Sequence, residues 1–317
     1  MSWLFVLAGL VILTLGAEAL IRGATGLARR FGLSELLIGL TLVGFGTSTP
    51  ELVSSVQAAL SGAPGIAVGN VVGSNIANIL FILGISAAIA PIAIEPKSFR
   101  RDMPALLGAT VIAIAIMMMG EIGRLAGAGF LLLLALYIGY AYVTESRATS
   151  APEPIRHEAE AAQLAGAQSS FLAIFLCFGG LALLVVGAKL LVSGAIMVAG
   201  AFGVSEAIIG LTIVAVGTSL PELVTSVMAA VRGKSDLALG NVVGSNLYNL
   251  LGILGATALV KPLTISVEIL RFDVWVMLAA TGAMALFAMT KHRIERWEGA
   301  VLFISYGAYI AYLAVTA

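Results

Sequence analysis

GTSTPELV spans Gly46–Val53 and returns as GTSLPELV over Gly217–Val224. Thr47 and Thr218, Glu51 and Glu222, and Gly69 and Gly240 are all 171 residues apart, so the two copies share one frame. Each copy sets a carboxylate one residue after a proline, inside an otherwise apolar segment. A proline has no N–H and crowds the carbonyl four residues back, so it opens a helix and frees backbone oxygens. Here those oxygens belong to Gly46 and Gly217, with Thr47 and Thr218 beside them. Freed carbonyls, hydroxyls and a carboxylate in one turn are what a hard cation coordinates. A cation site is written twice.

The surrounding chain is a membrane chain. Of its 317 residues 60% are hydrophobic and 11% charged, and the mean hydropathy is +1.07. That excludes a soluble domain. The formal net charge is zero, so it names no partner and gives no sign of nucleic-acid binding. The single cysteine, Cys177, allows no disulfide framework and reads as a small lipid- or helix-facing residue. The N-terminus lacks a basic leader and carries Glu18 in its apolar run, which marks a retained first span and not a cleaved signal.

Apolar runs of about 20 residues, enough to cross a bilayer, fall at 3–22, 34–60, 66–90, 103–119, 125–143, 171–200, 205–231, 237–259, 272–289 and 298–316. Between the fifth and sixth lies a polar connector, 144–170, with room for a short helix over 155–165. Five spans per half force the second half through the membrane in the opposite direction. The expected fold is therefore all-α and integral to the membrane. Ten transmembrane helices form two inverted five-helix repeats, 1–143 and 171–317, with broken helices at the centre, as in secondary transporters. With the N-terminus outside, the inner side holds Arg22, Arg29, Arg30, Lys97, Arg100, Arg101, Arg147, Arg156, Arg232, Lys234, Lys291, Arg293 and Arg296. The outer side holds only Arg124, Lys189, Lys261 and Arg271. The positive-inside rule thus puts both termini outside the plasma membrane and the linker in the cytoplasm. Trp3, Trp275 and Trp297 suit the interfaces.

A second motif, GNVVGSN, occurs identically at Gly69–Asn75 and Gly240–Asn246. Its glycines read as close-packing positions. Ser74 and Asn78 share one helix face, as do Ser245 and Asn249. These polar groups at bilayer depth need partners, and the glutamates are the expected ones. Glu51 and Glu222 are the central pair: a lone carboxylate in hydrocarbon is costly and so points to function. Two facing carboxylates repel unless a cation sits between them. One Ca2+ would neutralise both, several Na+ could, and protons would compete at low pH. A carrier with both glutamates bare could not move two unpaired charges through a dehydrated state, whereas a loaded one could, giving exchange without leak. Other ionisable groups read as edges and caps: Glu35 and Glu206 after Ser34 and Ser205 at helix starts, Asp236 at another, and Glu18 and Lys189 near membrane edges.

GTSTPE with GNVVGSNIAN, and GTSLPE with GNVVGSNLYN, resemble the two alpha-repeats of the cation/Ca2+ exchanger superfamily, and the ten-span layout is similar to that of its prokaryotic Na+/Ca2+ exchangers. The resemblance implies that Glu51 and Glu222 are ligands shared by Ca2+ and Na+. It implies hydroxyl and backbone oxygens from Thr47, Ser48, Thr218 and Ser219, with Thr47 and Thr218 beside the glutamates in the Ca2+ site. Ser74 and Ser245 would add to flanking Na+ sites, and Gly44 and Ala215 would offer backbone carbonyls. Helices 3–22 and 171–200 would slide as a gate. Asn249, pseudo-partner of Asn78, stands where some relatives carry an aspartate, which implies two central carboxylates and K+-independence.

The reading is an electrogenic Na+/Ca2+ antiporter needing no cofactor and no obligate protein partner, with a Ca2+/H+ exchanger of the same superfamily as the alternative. Four hydroxyls and freed carbonyls suit Na+ better than protons. A cation channel fits buried, paired sites less well. An intramembrane hydrolase lacks an imidazole base, because neither His157 nor His292 falls in a span. No enzyme is expected.

Overall fold

A computed structural model describes residues 2–31, 33–149, 170–201, 217–290 and 292–316. Its first half runs α1 (Ser2–Phe31), α2 (Glu35–Thr47), α3 (Thr49–Leu60), α4 (Pro64–Ile89), α5 (Pro96–Met117) and α6 (Arg124–Thr149). The second runs α7 (Ser170–Ala201), α8 (Leu220–Val231), α9 (Ser235–Val260), α10 (Ile269–Met289) and α11 (Arg296–Thr316). The expected spans fall on these helices, and of the span 205–231 the stretch before Gly217 lies outside the described residues. So do linker residues 150–169, with Arg156, His157 and the proposed short helix, and so do Ser205, Glu206, Ala215 and Lys291.

Three span edges differ from the sequence reading. The first helix continues past residue 22 to Phe31, α5 starts at Pro96 instead of 103, and α6 continues past 143 to Thr149, so the first residues of the expected linker 144–170 are helical. In α5 the charged run Lys97–Asp102 forms the opening turns: Pro96 supplies a preset φ at the first turn, and Arg101 folds its guanidinium onto Asp102 at 2.6 Å and Glu145 at 3.0 Å. Asp102 accepts a further bond from the Tyr137 hydroxyl at 2.9 Å. Charge matched this closely can enter the end of a span.

The fold is not purely helical. Four two-residue strands were not expected, and they reveal the topology. β1 (Ile92–Ala93) pairs with β4 (Arg293–Ile294), and β2 (Glu121–Ile122) with β3 (Leu263–Thr264). β1 precedes α5 and β2 follows it, so the two sheets cap opposite ends of α5. β3 precedes α10 and β4 follows it. α10, the counterpart of α5 in the second half, therefore starts where α5 ends and runs the other way. This is the inverted repeat in direct form. Basic residues gather at the β1–β4 end: Lys97, Arg100, Arg101, Arg293 and Arg296 flank that sheet, and Lys234 reaches Glu35 there at 2.6 Å. Trp297 at that end and Trp275 near the other are both exposed.

α1 and α7 pack antiparallel through a ladder of glycines. A Cβ placed on Gly9, Gly16 or Gly23 would lie 2.6–2.9 Å from the backbone nitrogen of Leu191, Leu184 or Cys177. On Gly180, Gly187 or Gly194 it would meet that of Leu20, Leu13 or Val6 as closely. Six glycines at seven-residue spacing bring the backbones into contact, as small residues do where lipid supplies no hydrophobic drive. Cys177 is buried in this seam and faces a helix. The GNVVGSN glycines divide. Gly240 packs against Leu36 O, where a Cβ would sit at 2.6 Å, and Gly244 against Leu40. For Gly69 and Gly73 no such tight contact exists among the described residues.

Candidate cation site

The first copy breaks its helix at Ser48, two residues before the proline, and in the second α8 starts after Ser219, which has the same non-helical backbone. Ser48 has φ −83° and ψ 10°, Ser219 φ −90° and ψ 9°, and Pro50 and Pro221 occupy the first turn of α3 and α8. α2 and α3 meet at a 45° bend. Pro50 cannot donate to Gly46 O, so the local sequence opens the ladder where the sequence reading placed it. Glu51 and Glu222 then stand in the first turn of their helices, where the positive end of the helix dipole favours an anion. They are 1% and 2% exposed, in the interior and not toward lipid.

The two halves interlock here. Ser48 Oγ donates to Glu222 Oε1 at 2.9 Å, and Ser219 Oγ donates to Glu51 Oε1 at 3.2 Å. Each glutamate is thus held by the other half's broken turn, while its second oxygen, Oε2, is buried with no hydrogen-bond partner. Asn78 Oδ1 and both amide atoms of Asn249 are buried and unpartnered too. Asn78 sits in a π-helical stretch, Ala77–Leu83, and Asn249 in another, Tyr248–Ile253; such widened turns recur at functional positions. Buried polar atoms in a folded chain are nearly always paired, so a matched set left open calls for a ligand or water. The donors here are oxygens of carboxylate, amide and hydroxyl type, a hard-cation set. No cluster of three or more His, Cys, Asp or Glu exists among the described residues, so any cation would draw on neutral oxygens as well.

One pairing expectation is overturned. Ser74, Ser245, Asn78 and Asn249 do not bond the glutamates. Ser245 Oγ donates instead to Gly44 O at 3.2 Å, across the halves, and both asparagines keep open atoms. The physical reason is position: Ser48 and Ser219, at the break itself, face the opposite carboxylate and take those bonds. Thr47 is fully buried, and its hydroxyl lies near Val43 O (3.0 Å) and Gly44 O (3.3 Å). Thr218 is half-buried and makes no side-chain hydrogen bond among the described residues. Ala215 lies outside the described residues. Two residues escaped the sequence reading. Asn70 Nδ2 bonds Glu51 O (3.2 Å) and Ser55 Oγ (2.9 Å). Asn241 Nδ2 bonds Glu222 O (3.3 Å) and Ser226 Oγ (2.8 Å). Each is the second residue of GNVVGSN, 19 residues past its glutamate, and that fixed spacing was the available signal.

Two clefts run along α7. One, of about 320 Å3, is lined by Pro50, Val185, Lys189, Val192, Gly217 and Thr218. The other, of about 860 Å3, is lined by Thr41, Phe45, Gly46, Thr49, Val185 and Tyr248. Both touch the breaks, and both have α7 as a wall.

Inverted halves, two proline turns meeting inside the membrane region and a buried oxygen site shared between them define a multi-pass membrane transporter and not an enzyme. The model of the sodium/calcium exchanger protein family matches residues 1–143 and 172–315, and the chain belongs to that family of membrane antiporters. It is 38% identical over 313 residues to the putative antiporter CaxA of Alkalimonas amylolytica, covering 96% of each chain. It is 34% identical over 347 residues to the sodium/calcium exchanger MaX1 of Methanosarcina acetivorans, covering 98% of each. A solved structure of the sodium-calcium exchanger NCX_Mj superposes with a TM-score of 0.85 at 32% identity, covering 98% of each chain.

Proposed function

We propose that this antiporter exchanges Ca2+ for Na+ by alternating access, with Glu51 and Glu222 as the shared central ligands. The observation that carries the reading is the reciprocal pair Ser48–Glu222 and Ser219–Glu51, each carboxylate keeping one open buried oxygen. One Ca2+ between those open oxygens cancels two charges at once. Thr47, Ser48, Thr218 and Ser219 with Ser74, Ser245, Asn78 and Asn249, and the carbonyls of Gly44 and Ala215, complete the set for Ca2+ and flanking Na+. Thr47 and Thr218 stand beside the glutamates at the Ca2+ position. Neutral oxygens in this number suit Na+ better than protons, which need only the carboxylates. The names of MaX1 and NCX_Mj as sodium/calcium exchangers support the same ion pair.

When more Na+ ions than the two charges of Ca2+ use those oxygens, exchange carries net charge and is electrogenic. Asn249, in place of an acid, favours independence from K+. The halves are 1–143 and 171–317, joined by a cytoplasmic linker, 144–170. The basic residues at the β1–β4 end make that the cytoplasmic side of the plasma membrane and set both termini outside. Counterflow tests the reading: 45Ca2+ uptake into proteoliposomes loaded with Na+ should exceed uptake driven by K+ or by a pH gradient, and should respond to membrane voltage. Faster uptake on a pH gradient would overturn it in favour of Ca2+/H+ exchange.

A further inference from the structure

Thr47 carries one hydroxyl proton and is surrounded by acceptors. Val43 O at 3.0 Å, Asn241 Oδ1 at 3.2 Å and Gly44 O at 3.3 Å all lie within reach of Oγ1, with the Glu222 carboxylate as a further neighbour, and none of the three has a proton to give. The orientation of the Asn241 amide follows from chemistry. Its other end faces Glu222 O at 3.3 Å, a carbonyl that can only accept, so Nδ2 must point there and Oδ1 must point to Thr47. Nδ2 also holds Ser226 Oγ at 2.8 Å, one turn beyond Glu222. Asn241 is fully buried, on the helix that packs Gly240 and Gly244 against α2. One side chain therefore grips the backbone of one half's glutamate and the hydroxyl of the other half's threonine.

We infer that Asn241, and by the repeat Asn70, are positioning residues for cation binding: each fixes the turn that carries its own glutamate, and Asn241 also offers the Thr47 hydroxyl an uncharged acceptor from the other half, which orients Thr47 toward the site. The inference rests on the function proposed above. A hydroxyl can ligate a metal ion only through a lone pair, which requires its hydrogen to be directed elsewhere, and Asn241 Oδ1 supplies an acceptor from outside Thr47's own helix. Asn70 makes the matching bonds to Glu51 O and Ser55 Oγ at 3.2 and 2.9 Å. It makes no bond to Thr218, the counterpart of Thr47, so the cross-repeat bond exists on one side only.

The test is a double-mutant cycle on 45Ca2+ uptake by Na+-loaded proteoliposomes, with Thr47→Val, Asn241→Ala and the two combined. Each single change should raise the half-saturating Ca2+ concentration by about three- to tenfold, the range for loss of one hydrogen bond. The pair should do no more than the larger single effect. Asn241→Ala with Ser74→Ala, which share no bond, should multiply. An asparagine that merely staples α9 to α8 would lower stability and maximal rate without this selectivity for Thr47, so multiplying effects of Thr47→Val and Asn241→Ala overturn the inference. If Asn241→Ala does not yield folded protein, Asn241→Ser takes its place under the same criteria. Where a variant transports too slowly, the Ca2+-induced rise in melting temperature of the purified protein supplies the same cycle. Uptake by the unmodified protein on Na+, K+ and pH gradients in the same vesicles reports separately on the choice of exchanged ion.

Discussion

Ser48 in the first half donates its hydroxyl to Glu222 in the second at 2.9 Å, and its counterpart Ser219 returns the bond to Glu51 at 3.2 Å. A pair of crossed bonds of this kind ties the occupancy of the site to the relative placement of the two halves. Neither glutamate can change partners without moving the other half's broken turn.

Glutamine at either central position tests that arrangement. Glu51→Gln or Glu222→Gln keeps shape and removes one of the charges that Ca2+ cancels, so exchange should fall at least about 100-fold while the purified protein stays folded. Ser48→Ala and Ser219→Ala should act more mildly. A hydrogen bond to a charged group is worth about 1.5–3 kcal/mol, so each should weaken Ca2+ affinity by about ten- to 100-fold. Calcium titration of 45Ca2+ uptake measures both, and wild-type flux in either glutamine variant would count against shared ligation.

Much of this was legible in the sequence because a repeat states its constraints twice. GTSTPE and GTSLPE at a 171-residue offset located the proline turns and the glutamates, five spans per half implied the inversion, and the break in the first half fell within two residues of the proline that forces it. The strands between β1 and β4 and between β2 and β3 were not legible. Two-residue pairings carry no period, and they join segments about 140–200 residues apart. The partners of Ser74 and Ser245 were misread for a related reason: helical spacing fixes which face a side chain shares, not which half lies opposite. Asn70 and Asn241 were passed over inside a motif whose serine drew the attention, although their spacing from the glutamates is the same in both copies.

The glycine ladder between α1 and α7 predicts where a single methyl group is intolerable. In Gly16→Ala the new Cβ would lie 2.9 Å from Leu184 N, and in Gly187→Ala 2.7 Å from Leu13 N. Backbone atoms cannot step aside as side chains do, so the helices must part, at about 1–3 kcal/mol for each overpacked site. Gly108→Ala in α5 meets nothing within 4 Å. It should be neutral or stabilise by about 0.5–1 kcal/mol through helix propensity. Melting temperatures of the three variants in detergent should therefore rank Gly108→Ala above wild type and both ladder variants below it; equal melting would mean that the two helices are held apart by other contacts.

Glu18 pairs with Arg22 in its own helix at 2.7 Å and with Arg232 at 2.9 Å, and the second ion pair ties α1 to the end of α8. Arg232 is half-exposed, so the bond is worth at most about 1 kcal/mol. Its counterpart positions are Lys189 and Ser61, which cannot form an ion pair, so the tie exists in one half of the repeat only. Glu18→Gln should shift exchange rates by no more than about fivefold, leaving Ca2+ affinity unchanged. Raising ionic strength should mimic it in wild type and do little in the variant. A change in affinity would instead connect Glu18 to the cation site.

Asn249 offers the sharpest test of charge in the site. It is buried, none of its amide atoms has a partner, and it sits in the π-helical stretch Tyr248–Ile253 of α9, one turn beyond Ser245. An amide oxygen can contribute to a cation without adding charge. Asn249→Asp makes the same contribution with a negative charge, and that charge must be met by a further cation or by a proton in a buried setting. The variant should bind Ca2+ or Na+ more tightly at alkaline pH and lose the gain as the new carboxyl protonates. Its uptake should then depend on pH more steeply than that of wild type over the same range. The measurement is 45Ca2+ uptake against external pH at fixed Na+ load for both proteins. An unchanged pH profile in Asn249→Asp would place that side chain away from the ions, and the open atoms of Asn249 would then belong to a bound water.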